Sequence, residues 1–262
     1  MRASAGWNIA GGAALAAAWA AGSPAAAPIL AALAANHLSL VAAGLIPRAA
    51  LLGRNVCRLD PRAAGRTVAL TLDDGPDPAV TPAVLDLLDA HRARASFFCI
   101  GERAAAAPDV VREIVRRGHR VENHTYRHRK SFWFHPPRRL AEEIHRTQDT
   151  LGALAGAAPG WFRAPAGIRS PLLETALERA GLALVTWTRR GFDTNTLDAA
   201  AIAARLTAGL AHGDILLLHD GNSPRGAGGR AVILESLPRL LDTLAGAGMK
   251  AVPLPPPSAS PS

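Results

Sequence analysis

Thr67-Val-Ala-Leu-Thr-Leu-Asp-Asp-Gly-Pro76 runs an apolar, β-branched stretch straight into a turn. Thr67–Leu72 reads as a short strand, and Asp, Gly and Pro after it favour reversal of the chain. Paired acids before Gly-Pro need be no more than a turn. Their functional reading requires two roles from neighbours that point in different directions. One carboxylate binds a metal, and the other stays off the metal and accepts a proton from water.

Outward from this stretch, strands alternate with helices. Expected strands are Thr67–Leu72, Ala95–Ile100, Arg120–Asn123, Gly160–Arg163, Leu182–Trp187, Asp214–Leu218 and Lys250–Pro253. Between them lie expected helices over Ala83–Ala90, capped by Thr81 with Pro82 behind it, and from Pro108 to Gly118. Others follow over Arg138–Leu154, Pro171–Ala180, Leu197–Leu210 (capped by Thr196 or Asp198) and Ala231–Ala245. Seven strands separated by helices predict a parallel α/β sheet closed, or nearly closed, into a barrel. The tail from Pro255 is rich in Pro and Ser and reads as disordered.

Four more segments each follow an expected strand, on the face where barrel loops assemble active sites. His124-Thr-Tyr-Arg-His128 spaces two imidazoles four residues apart, which a helical turn would place on one face. With an upstream carboxylate they would make a two-His, one-carboxylate site with open positions. Arg163-Ala-Pro-Ala-Gly167 sets an arginine before a turn. Trp187-Thr-Arg-Arg-Gly-Phe-Asp193-Thr194 carries an isolated acid. Leu216-Leu-Leu-His-Asp220 ends a buried strand on a histidine, placed for proton transfer.

This ordered set resembles the polysaccharide deacetylase family, carbohydrate esterase family four, over about residues 66–253. The resemblance implies a distorted (β/α)7 barrel. It implies Asp73 as base, Asp74, His124 and His128 as metal ligands, and Arg163 as the partner that holds and aims Asp73. It implies the Ala166 N–H as an oxyanion donor, His219 as the acid that protonates the leaving amine, and Leu217 in the pocket for the acyl methyl. Asp193 would orient His219, near Trp187. Here the sequence departs from the family: Thr194 stands where Trp is usual, Arg190 where an acid often occurs, and Ala166 where many members carry an aromatic. Arg189 and Arg190 add charge that would suit an anionic or phosphorylated substrate. Zinc fits the donor set, as do cobalt, nickel, manganese and iron.

The implied activity is metal-dependent removal of an N-acetyl group from an N-acetylated sugar in a glycan. Alternatives are a deacylase or deformylase of a lipid-linked sugar or other small amide, and an inactive carbohydrate-binding homologue. The intact Asp73, Asp74, His124, His128 and His219 argue against the last. Trp133 and Phe134 could flank a sugar ring, while His91, His119, His135, His145 and His212 lack a motif and read as structural or surface residues.

Net charge is +8, and all but two of the 29 basic residues are arginine. They are spread along the chain, so no nucleic-acid partner is expected. Cys57 and Cys99 form no Cys-x-x-Cys, which excludes a thiolate zinc site; they read as two buried thiols, with a bond between them left open. Ala3 to Pro47 holds no Asp, Glu, Lys or Arg, and Gly22-Ser23-Pro24 breaks it. Residues 1–55 are therefore expected to be an apolar membrane-anchor segment, ahead of a catalytic domain at 60–254 and a tail at 255–262. The segment could be a helical hairpin, a single span over Ala25–Ile46, a cleaved signal or a soluble Ala-rich helix. A bacterial inner-membrane location is expected, with the side of the catalytic domain open.

Overall fold

A computed structural model describes residues 2–60, 62 and 65–257 of the chain. After two N-terminal helices, α1 (Arg2–Ala20) and α2 (Ala26–Leu45), comes β1 (Thr67–Asp73). There follow α3 (Thr81–Ala90), β2 (Ser96–Cys99), α4 (Gly101–Ala106), α5 (Pro108–Arg116) and β3 (Arg120–Asn123). Next are α6 (Pro137–Ala155), β4 (Trp161–Phe162), α7 (Leu173–Arg179), β5 (Ala183–Leu184), β6 (Arg189–Arg190) and α8 (Ala199–Thr207). The last elements are β7 (Ile215–His219), α9 (Ile233–Gly246) and β8 (Lys250–Val252).

All strand pairs are parallel, in the order β5-β4-β3-β2-β1-β7-β6, with β8 on β1 beside Thr67–Ala69. The parallel α/β alternation is as expected, and the sheet curls into the distorted, partly open barrel that the family resemblance implied. Side chains along a strand alternate faces. In β1, Val68, Leu70 and Leu72 pack outward with helix residues such as Val84, Leu85 and Leu237. Ala69 faces inward with Phe98, Trp161, Val185, Ile215 and Leu217. The same period sends Asp73 and His219 to the inner, upper end, where β1 and β7 pair Asp73 with His219 in register.

β5 and β6 do not pair, so the barrel has a seam. Residues 56–59 occupy it. The Val56 N–H donates to Leu184 O at 3.0 Å, Thr186 N–H to Val56 O at 2.9 Å, Thr188 Oγ1 to Cys57 O at 2.6 Å, and Leu59 N–H to Gly213 O at 2.8 Å. Hydrogen bonding into the barrel thus begins ahead of residue 60. The seam also shortens the expected Leu182–Trp187 strand to β5 and sets off β6, the additional strand.

Two local expectations are corrected. Thr81 is not the cap of α3 but its first residue: its hydroxyl accepts from Asp77 N–H at 2.8 Å and donates to buried Asp220 at 2.5 Å. Of the two candidate caps for α8, Asp198 serves, accepting from Ala201 N–H at 2.9 Å.

α1 and α2 fold back on each other. Gly11 lies so near Leu33 that a Cβ there would come within 2.7 Å of the leucine side chain. α2, at 20 residues, is long and apolar enough to cross a membrane, and Leu30, Leu38, Val41 and Leu45 are exposed on it. Its C-terminal end is not free. Arg169 N–H donates to Gly44 O at 2.9 Å, the Arg169 guanidinium donates to Ala49 O, and Asn55 Nδ2 donates to Pro47 O at 2.7 Å. Cys57 is half-buried and Cys99 buried, both as free thiols.

Candidate metal and acid-base site

Asp73 closes β1 with its carboxylate inside the barrel. Arg163, one residue past β4, donates to Asp73 Oδ1 from Nη1 at 2.6 Å and to Thr71 Oγ1 at 2.9 Å, and from Nη2 to Thr186 O at 2.9 Å. Arg163 is completely buried, its guanidinium carbon 4.1 Å from the Phe98 ring centre and 5.9 Å from that of Trp187. A buried ion pair leans on further hydrogen bonds to offset its desolvation; here Nη1 and Nη2 make three, Nε is buried without an acceptor, and aromatic faces cover the cation.

Asp74 turns away from its neighbour by adopting φ 71°. Its Oδ1 lies 3.3 Å from His124 Nε2 and 3.2 Å from His128 Nε2. The two histidines do not sit on a helical turn, as their spacing predicted. They converge through an irregular loop with Thr125 at φ 65° and His128 at φ 50°. Loop geometry is held by side chains: Thr125 Oγ1 accepts His128 N–H at 3.0 Å, Asn123 Oδ1 accepts Thr125 N–H at 3.0 Å, and Glu143 accepts the N–H groups of Tyr126 and Arg127. His124 Nδ1 donates to Arg163 O at 2.8 Å, which turns Nε2 toward Asp74 as the nitrogen that would meet a cation once deprotonated.

Burial works against the charged forms of all three residues. It is outweighed at Asp74, where the close approach of His124, with His128 and His219 beside it, holds the carboxyl well below its usual range. His124 is likewise raised despite burial, by Asp73 and Asp74. His128, half-buried and facing His124, is pushed down to about 4 by desolvation and by the charge of His124. The donor set fits a divalent cation: Asp74 Oδ1 is buried without a hydrogen-bond donor, and the three ligand atoms lie within 4.8 Å of one another.

Across the cleft, His219 Nδ1 donates to Asp193 Oδ1 at 2.9 Å, and His219 N–H donates to Asp193 Oδ2 at 2.7 Å. Burial disfavours the imidazolium, but Asp193, with Asp73 and Asp74 behind it, raises the His219 pKa overall.

The sequence profile described as "Polysaccharide deacetylase" matches residues 60–185. A chitooligosaccharide deacetylase of Bradyrhizobium sp. (strain ANU 289) is 35% identical over 196 residues, covering 72% of this chain and 90% of that protein. The chain belongs to the polysaccharide deacetylase family. A peptidoglycan-N-acetylglucosamine deacetylase of Bacillus cereus is 33% identical over 193 residues, covering 72% of this chain and 66% of that one. The family 4 carbohydrate esterase from Streptomyces lividans, solved in complex with acetate, superposes with a TM-score of 0.65 at 32% identity, covering 72% of this chain and 92% of that one.

In this member of the polysaccharide deacetylase family, the metal-dependent chemistry of the family has a candidate site at Asp74, His124 and His128. These residues, with Asp73 and His219, line a cleft of about 390 Å³ whose walls include Lys130, Ala166, Trp187, Arg190, Thr194 and Leu217. Ala166 adopts φ 55°, and Gly167 at φ 73° lies between the Trp187 indole and Pro47, where a Cβ would come within 2.5 Å of the indole. Trp133 and Phe134 stack on each other and do not line this cleft. Arg189 and Arg190 separate: only Arg190 lines the cleft, whereas Arg189 is bound to Asp214 and to the carbonyls of Ala208 and Gly209.

Residues without a readable motif complete the support. Asn222 Nδ2 donates to Asp74 Oδ2 at 2.9 Å; Arg103 donates to Asp74 O and to Asn222 Oδ1, each at 2.7 Å. Asp220, buried beside Gly75, braces the same turn through Thr81. The position after His219 was the one available signal for Asp220; nothing local marks Arg103 or Asn222.

Proposed function

We propose that this chain hydrolyses the N-acetyl amide of an N-acetylated sugar in a glycan, releasing acetate and a free amine. The observation that carries this reading is the in-register pairing of Asp73 and His219 beside the Asp74–His124–His128 cluster. The chitooligosaccharide and peptidoglycan deacetylases among its relatives support it.

In this reading Asp74, His124 and His128 hold one divalent cation, zinc first, with cobalt, nickel, manganese or iron as alternatives for the same donors. When bound, the cation supplies Lewis acidity toward the acyl oxygen and makes water more acidic. Asp73 takes the proton from the attacking water, held in place by Arg163. The Ala166 N–H stabilises the oxyanion, and Leu217 and Trp187 wall the acetyl methyl. His219, kept protonated by Asp193, gives its proton to the departing amine. Residues 1–55 anchor the catalytic domain, residues 60–254 with the seam segment ahead of it, to a bacterial inner membrane. The exposed apolar side chains of α2 support the anchor and keep a second reading open, a lipid-linked sugar amide as substrate.

The test is mass spectrometry of chitooligosaccharides, peptidoglycan fragments and lipid-linked N-acetyl sugars after incubation with the metal-loaded protein. Loss of acetyl groups with release of acetate is expected. Intact substrates across all three classes, with every metal named, would overturn the assignment.

A further inference from the structure

Arg189 and Arg190 are adjacent on β6 and have opposite fates. Arg189 is consumed within the fold: Nε donates to Asp214 at 2.6 Å and both Nη atoms donate to main-chain carbonyls. Arg190 faces the cleft, and its side chain has no hydrogen-bond or ion-pair partner among the described residues. It is nonetheless held. Its guanidinium carbon lies 5.5 Å from the Trp187 ring centre and 5.1 Å from that of Phe192, a cation braced by two aromatic rings. Stacking by its faces leaves the edge of the guanidinium, with its fork of donors, unspent.

Position adds to this. β6 pairs Arg190 with Leu217, two residues before His219. The acids lining the cleft are Asp73 and Asp74, and both are engaged: Asp73 by Arg163, Asp74 by the two histidines and Asn222. Lys130 stands on the wall beyond His128. The uncommitted charge of the cleft is therefore positive. The Arg190 Nε is buried without an acceptor, as are those of Arg163 and Arg169, but only Arg190 lines the cleft.

We propose that Arg190 is a specificity-determining residue that binds an oxyanion, carboxylate or phosphate, carried by the sugar with the scissile amide or by its neighbour. This rests on the deacetylase reading of the same cleft. A planar two-oxygen acceptor matches the free edge of the guanidinium, and such a charge-assisted contact corresponds to about 10–100-fold in affinity.

The experiment compares matched substrates with the metal-loaded full-length protein: a neutral chitooligosaccharide, the same oligomer with a lactyl ether carboxylate, and one with a sugar phosphate. The expected kcat/KM is about 10–100-fold higher for one or both anionic forms, falling with added salt. The ratio should collapse to about one in R190Q and be partly kept in R190K. Which anionic arm wins separates carboxylate from phosphate. In parallel, binding of N-acetylglucosamine 1-phosphate, N-acetylmuramic acid and N-acetylglucosamine is measured by NMR titration, with thermal melting as a check that each variant is folded. Equal binding of charged and neutral sugars by wild type, or a preference unchanged in R190Q, overturns the proposal. Turnover of all substrates without charge preference would sink Arg190 while leaving the deacetylase reading standing. Charge-selective binding lost in R190Q without any turnover would do the reverse.

Discussion

Asp193 spends both carboxylate oxygens on one residue: Oδ1 on the His219 ring at 2.9 Å and Oδ2 on the His219 amide at 2.7 Å. The two bonds fix the imidazole and the end of β7 together. They also make the ring more basic, against the effect of burial.

Asp193→Asn should therefore lower kcat by about 10²-fold and change its pH dependence. An acid works while protonated, so activity is lost as pH rises through the His219 pKa. Removing the carboxylate lowers that pKa, and the basic limb of the pH–rate profile should move to lower pH. A variant with reduced kcat but an unmoved basic limb would leave Asp193 only a structural part.

Metal uptake should release about one proton rather than two. His124 is raised and gives up a proton to bind metal, whereas His128, near 4, is already neutral at pH 6–7. Apparent affinity should weaken about tenfold per unit as pH falls below the His124 pKa. Calorimetry in buffers of different ionisation enthalpy counts the protons. His124→Ala or Asp74→Asn should abolish stoichiometric binding.

Arg163→Met should destabilise the fold by about 3–5 kcal/mol, because Asp73 is left buried without its partner. Denaturant unfolding measures this. Adding Asp73→Asn should recover part of the loss, since the uncompensated charge is then gone.

Asp220 should give stability an unusual pH slope. Burial raises its folded pKa to about 7 from the ordinary 3.8, even though Thr81 donates to it. The folded chain then binds more protons than the unfolded one between those values, so this group's contribution is present at low pH and lost as pH rises. The slope approaches about 1.4 kcal/mol per unit. Asp220→Asn should flatten it, seen as a smaller Tm difference between pH 5 and 8 than in wild type.

A chain beginning at Pro47 should stay folded, and one beginning at Leu59 should be markedly less stable, because the latter lacks the bonds of Asn55, Val56 and Cys57 to the β5 side of the seam. Thermal melting of the two forms decides this.

Much of the barrel was legible because strand period and turn chemistry are local. The alternation in Thr67–Asp73 sends alternate residues to helices and barrel interior, and Asp-Asp-Gly-Pro announces the turn. The candidate metal cluster was legible for the same reason, Asp74 and His124 each sitting one residue past a strand, β1 and β3. The shape of the His loop was not: a separation of four suits a helix, but Asn123, Thr125 and Glu143 satisfy its amides differently, and Glu143 does so from α6, 17 residues beyond Tyr126. Arg103 and Asn222 act on Asp74 from 29 and 148 residues away, a reach no local pattern encodes. The seam segment at 56–59 has neither length nor alternation to read as a strand, and pairs only because β5 and β6 leave a gap.

Between the last residue of α2, Leu45, and Pro47, which already touches Gly167 on the wall of the cleft, there is a single residue. Such a mount has no slack. A catalyst on a long tether samples a hemisphere of positions; under the anchored reading proposed above, one fastened this way would keep a set height and tilt above the plane that holds its helix. The choice of glycan would then depend on geometry as well as affinity: only strands passing at that height would present their amides to the cleft, making the proposed reaction a layer-selective one.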